Sequence, residues 1–396
     1  MPPLLSSTEI DLLRYFFAKN QHSSGWFSNT SQVPIWTRMA YVDVLKDIHE
    51  LPIHGIQEKL GEVGSIGKLI PTLAELRAAK VLAIRGFEVE LLSDNDLRFP
   101  GKKTKHPGPS PDLLVNRQKL TLLVEVSSMS RDETELSVNE KIQPLLEEKD
   151  LVLSIEYSEH LSELAVDYND RTDKENLFDN FVDRLKEKLE SINKNQLPLD
   201  FVLDASKVSV DLTAPSWGRI SNTSTSWTYV PKERYIHQIQ KVVKKKASKR
   251  QPNWTNQCFS YPFLVFLDLG QASEIYDAVF PALYGSRTLI DWLEPEELGP
   301  QRVRYPKFVM DKLQGDQQEL LCKLGFDSRR YVHINEPGSF VVDENVRRNV
   351  TGVLTIFNNK TECFPNPFCD EIIQLSNLAE VLDIPLTSSV IDNSSL

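Results

Sequence analysis

The sequence predicts an α/β protein, with strand-like and helical runs interleaved along the chain. Two observations carry this. Alternating apolar runs cluster between residues 87 and 128, with amphipathic helical runs on either side. A later apolar run, YPFLVFLDL, suits a strand buried on both faces. The chain has 396 residues, 40% apolar and 26% charged, so it can bury a sizeable core without disulfide or metal staples.

The elements follow in order. STEIDLLRYFFAKN opens on a hydroxyl cap with a glutamate in its first turn, then shows one apolar face, which predicts a helix. PIWTRMAYVDVLKDIHEL has similar periodicity. After the break GEVGSIG, PTLAELRAAKVLAIRGF predicts a clearer helix, with Pro71 in its first turn and Gly86 at its end. FEVELL, PDLLVN and LTLLVEVSS then read as three strands, and LVLSIEYS as another. KENLFDNFVDRLKEKLESI is amphipathic, with Leu177, Phe181, Leu185 and Leu189 on one stripe. LDFVLDASKVSVDLT and SWTYV predict further strands. A basic helix begins near Pro231 and precedes YPFLVFLDL. A short helix at DAVFPALYGS follows, then a helix near Val309 to Leu324 and strands at RRYVHI and TGVLTIF.

Several function classes find no support. The four cysteines, Cys258, Cys322, Cys363 and Cys369, form no CxxC pair beside a histidine cluster, so no structural zinc site is expected. No GxSxG elbow and no GxxxxGK[ST] loop occurs, which disfavours serine hydrolases and P-loop NTPases. CFPNPFC reads as a rigid turn. The start of the chain lacks a basic segment followed by an apolar run, and no stretch of about 18 apolar residues is present. A cytoplasmic protein with no membrane partner is therefore the expectation. The net charge of −11 is unevenly spread. Residues 131–200 hold 19 acids against 9 bases, while residues 232–250 hold eight bases and one acid. Local fields of this kind steer a polyanion more than the total charge does.

The candidate chemistry lies on the third strand. Alternation puts Leu123, Glu125 and Ser127 on one face and Leu122, Val124 and Val126 on the other. An acid in an apolar strand costs free energy unless it is paired or holds a cation. Asp112 starts the preceding strand, and antiparallel pairing brings it beside Glu125. Two adjacent carboxylates repel, and a hard divalent cation relieves that repulsion. Glu75 sits beside the buried stripe of its helix, next to Ala78, Ala79 and Leu82. Each feature alone has an ordinary explanation: an exposed or salt-bridged acid, a Pro-Asp turn, a snorkelling side chain.

Taken together, LAELRAAKVLAIRGFEVELL, PDLLV and LLVEVSS resemble the PD-(D/E)XK nuclease superfamily over roughly Thr72 to Ser128. The resemblance implies a restriction-endonuclease-like core of order α-β-β-β-α-β, a central mixed sheet flanked by helices, spanning 71–275. The basic helix and PFLVFLDL would be its second helix and fourth strand. It further implies a helical N-terminal extension (1–70), an insertion at about 131–230 and a C-terminal α/β extension packed on the core (276–396). Asp112 and Glu125 would be Mg²⁺ (or Mn²⁺) ligands, with Glu75 as a supporting metal acid. Position 127 would carry the family's lysine, which orients or deprotonates the attacking water, but it is Ser127, which supplies no cation. Lys246, bordering the stripe Ile236, Ile239, Val243 and Ala247, is the candidate replacement. Phosphate contacts are expected from Arg98, Lys102, Lys103 and Lys105 in the loop and from Lys241, Lys245 and Lys249 on or near the basic helix.

The expected function is metal-dependent hydrolysis of a phosphodiester bond, in DNA ahead of RNA. The alternative is a catalytically degenerate relative that binds protein or nucleic acid in a defence or mobile-element system. In that version the acidic insertion takes a basic protein partner.

Overall fold

A computed structural model of the chain describes residues 5–21, 35–93, 110–129, 141–162, 171–212, 223–227, 232–250, 260–290 and 331–369, apart from a few positions inside these ranges, with Val33, Asp96, Arg98, Phe99 and Leu382. The chain falls into two compact units. Met1–Lys80 and Ser130–Arg234 form the first, and Val81–Met129 and Tyr235–Leu396 the second.

In chain order the helices include α1 (Ser7–Phe16), α2 (Ile35–Leu45), α3 (Ile56–Gly61), α4 (Leu69–Ile84), α5 (Arg171–Ser191), α6 (Lys232–Ala247), α7 (Ser273–Tyr284), α8 (Ser339–Val342) and α9 (Glu344–Asn349). The strands begin with β1 (Ile53–His54), β2 (Glu88–Leu91), β3 (Leu113–Arg117), β4 (Leu120–Ser128), β5 (Leu151–Tyr157), β6 (Leu199–Leu203) and β7 (Ser206–Leu212). They continue with β8 (Thr223–Trp227), β9 (Phe263–Asp268), β10 (Ser286–Ile290), β11 (Tyr331–Glu336), β12 (Gly352–Phe357) and β13 (Lys360–Pro365).

Local chemistry explains where the first helices start and stop. Ser6 caps α1 through a capping box: its backbone N–H donates to Glu9 Oε2 (2.6 Å) and its hydroxyl accepts from the Glu9 N–H (3.3 Å). Helix α4 ends in a Schellman motif. Gly86 takes φ 80°, its N–H donates to Ala83, and the Phe87 N–H donates to Leu82. A residue with a Cβ is strained at that φ, which is why glycine stands there.

In the first unit, β6, β7, β5 and β8 form a sheet in that order, antiparallel except for the parallel β5–β8 pair. Strand β5 buries alternate residues. Helix α5 covers that buried face, where Phe181, Leu185 and Leu189 pack with Leu153, Ile155, Val208 and Val210. The hairpin between β6 and β7 turns on Asp204 and Ala205, both at positive φ. The stretch LDFVLDASKVSVDLT is thus two strands.

The second unit holds the sheet order β2-β3-β4-β9-β12-β13. Pairs β2–β3, β3–β4 and β12–β13 are antiparallel, while β4–β9 and β9–β12 are parallel. The expected α/β class with a mixed central sheet is therefore observed. Every residue of β9 is buried, as its unbroken apolar sequence requires. Strand β12 lies directly beside β9 and continues the sheet. A hairpin at Asn358 and Asn359, both with positive φ, then returns the chain as β13. The expected helix near Val309 to Leu324 lies outside the described residues.

CFPNPFC has a mechanical role beyond a turn. Asn366 is fully buried, and its amide donates to Val346, Arg347 and Val350, the last carbonyls of α9 and the residue after it. It supplies a donor to the Arg347 and Val350 carbonyls and a second one to Val346, which already accepts the Val350 N–H (3.0 Å). Asn366→Ala should destabilise the protein by about 2 kcal/mol, because buried carbonyls lose their donor. A urea melt of the variant would measure this.

Candidate functional site

The hairpin register builds the acid pair. Leu113 pairs with Val124, so Asp112 and Glu125 stand opposite each other where β3 begins. The Asp112 N–H still donates to the Val124 carbonyl (3.1 Å). Beyond that point β4 has no backbone acceptor from β3, and the carboxylate replaces one: the Val126 N–H donates to Asp112 Oδ2 at 2.7 Å. This bond fixes Asp112 against the strand that carries Glu125.

Helix α6 supplies the opposite charge. Its apolar face (Tyr235, Ile236, Ile239, Val242, Val243 and Ala247) is buried, and Lys246 borders that face. Lys246 Nζ lies 2.9 Å from Glu125 Oε2 and 3.5 Å from Asp112 Oδ2, so one ammonium serves both acids. Lys249, in the turn after the helix, places its Nζ 2.7 Å from the same Glu125 oxygen. Cations at a helix C-terminus also complement its negative pole.

Glu125 is 0% exposed. Burial, followed by the charge of Asp112, raises its pKa to about 7, although Lys246 and Lys249 both pull it down. Desolvation outweighs two ion pairs here. Among the described residues no donor reaches the buried Oε1. An orphaned buried carboxylate oxygen calls for a proton or a cation.

The structure thus brings Asp112, Glu125 and Lys246 together and adds Lys249, which the sequence had grouped with the phosphate-contacting lysines. Ser127 is half-buried on the Glu125 face, opposite Leu267 of β9. Glu75, in the first unit, is engaged by Lys59 of α3 at 2.7 Å, both side chains being largely buried. Lys241 and Lys245 are exposed on α6. Lys102, Lys103 and Lys105 lie outside the described residues. Arg98 sits in a carboxylate clamp, 2.7 Å from Glu90 and 2.6 Å from Asp96, rather than open to a phosphate. The available signal for Lys249 was its spacing, three residues after Lys246 at the end of an amphipathic helix.

Among the described residues no group of three or more His, Cys, Asp or Glu side chains is placed to hold a metal. A cage made wholly of side chains is therefore absent among those residues. Two carboxylates suffice for Mg²⁺, which keeps several waters and completes its shell with phosphate oxygens. The orphaned Glu125 Oε1 fits that donor set. No helix among the described residues is long and apolar enough to cross a membrane.

No protein-family model, no curated protein and no solved structure matches the chain.

Proposed function

We propose that the chain is a metal-dependent nuclease of the PD-(D/E)XK type, hydrolysing a phosphodiester bond of DNA ahead of RNA. The observation that supports it is the convergence of Asp112 and Glu125 across the β3–β4 hairpin on one ammonium, Lys246. The element order α4, β2, β3, β4, α6, β9, with β9 parallel to β4, also suits a restriction-endonuclease-like core.

In this reading Asp112 and Glu125 hold Mg²⁺ (or Mn²⁺). The ion supplies a Lewis acid for a phosphate oxygen and lowers the pKa of a bound water. Lys246 takes the place of the lysine missing at Ser127 and sets a positive charge where charge grows on the phosphate. The hairpin and the buried face of α6 keep these three groups in register. Lys241 and Lys245, exposed along the same helix, contact the phosphate backbone and carry no sequence information.

The deciding assay incubates purified protein with plasmid, single-stranded DNA and RNA in Mn²⁺, beside the Asp112→Ala and Glu125→Ala variants. Cleavage by wild type alone supports the reading, and no cleavage of any substrate overturns it. Lys246→Met should cut the rate about a hundredfold, as expected for losing a preorganised charge at the reacting phosphate.

One observation favours a second reading: two lysines already occupy Glu125 Oε2. In that version the acid–lysine cluster is a structural remnant, and the acidic segment 131–200 binds a basic partner. Calorimetry showing no Mn²⁺ binding would favour it.

A further inference from the structure

We propose that Lys249 is a displaceable counter-ion, which neutralises Glu125 until a divalent cation enters and then turns to the substrate phosphate. This inference rests on the nuclease reading and names the regulation of the same site.

Charge comes first. Asp112 and Glu125 bring two negative charges, and Lys246 and Lys249 bring two positive ones, so the metal-free cluster is neutral when all four groups are ionised. A divalent ion entering that cluster makes it strongly positive. Moving one ammonium onto an incoming phosphate lowers that excess from two charges to one without stranding a buried charge.

The geometry points to Lys249 as the group that moves. Lys246 is held between two carboxylates and is 16% exposed. Lys249, among the described residues, has Glu125 as its partner and is 29% exposed. It also lies beyond the end of α6, in a turn where its N–H donates to the Lys246 carbonyl (3.0 Å). Its flexible four-carbon stem can swing to solvent, while Lys246 stays clamped at the edge of the packed helix face. Among the described residues no donor reaches the buried Oε1 of Glu125, so one oxygen of the acid is left uncompensated while Lys249 is bound to Oε2.

Mn²⁺ titration by calorimetry on the full chain tests this, at about pH 8.5 so that Glu125 is ionised throughout. Lys249→Met should bind Mn²⁺ about tenfold more tightly than wild type, because a competing cation has left Glu125. The same variant should bind DNA more weakly in Mn²⁺, seen as a higher KM, with a salt dependence shallower by about one phosphate contact. Lys249→Arg should restore the KM, and Lys249→Gln should behave as the Met variant does. Unchanged or weaker Mn²⁺ binding in both uncharged variants, with wild type still binding, overturns the displacement. Absent Mn²⁺ binding in wild type, or binding unaffected by Asp112→Asn, overturns the nuclease reading and this inference with it.

Discussion

With the ion held as proposed, Asp112→Asn and Glu125→Gln should each slow Mn²⁺-dependent cleavage by on the order of a thousandfold, since such an ion is worth several kcal/mol to the transition state. Both changes are nearly isosteric, so the hairpin should persist. Asn at 112 retains an oxygen that can accept the Val126 N–H, as Asp112 Oδ2 does at 2.7 Å. What each variant lacks is negative charge, and that loss weakens the site for a divalent ion. The two changes should therefore act as a unit, with a double variant no slower than either single one. Single-turnover cleavage with the ion varied is the measurement. Rates in the two single variants within a factor of about two of wild type would remove the metal site, because a truly shared ligand pair is not that tolerant.

The second large effect is on stability. Burial lifts the Glu125 pKa from 4.5 to about 7 in the folded protein. Between those values the folded state holds a proton that the unfolded chain has released. Stability therefore falls as pH rises through that window, by on the order of 3 kcal/mol from this group. The contribution is present in full below 4.5 and is gone above about 7. Other carboxylates act in the opposite sense: Asp96, lowered mainly by its hydrogen bond from Arg98, adds stability as pH rises. The informative quantity is thus the difference between wild type and Glu125→Gln, in metal-free urea melts at about pH 4.5 and pH 8. The Gln variant should gain relative to wild type as pH rises. Parallel curves would mean that Glu125 is ionised across the whole range and that the two lysines outweigh burial.

Metal binding should reverse that slope. A divalent ion needs the ionised acid, so above about pH 7 Mn²⁺ would raise the melting temperature most, and it would lose that effect as the acid takes up its proton.

Much of the site was legible because it is local. Alternation along LTLLVEVSS assigns Glu125 and Ser127 to one face. The short turn between β3 and β4 then sets the register that puts Asp112 opposite Glu125. Spacing in the basic helix marked Lys246 as bordering a buried stripe. The capping box of α1 and the glycine end of α4 were equally plain, since each involves residues within a single turn.

Three features needed the folded chain. No local pattern states that Glu125 is completely enclosed, because its burial depends on β9 beside β4 and on α6 above it. Nor does spacing along α6 reveal that Lys249 reaches the same oxygen as Lys246, since that follows from how the helix docks. Strand β12 joins β9 from far along the chain. By itself the sequence determined which residues share a face or a turn, because backbone geometry repeats every two or 3.6 residues. The tertiary structure decided which charges meet and how dry their meeting place is, because docking and desolvation are set by atoms distant in sequence.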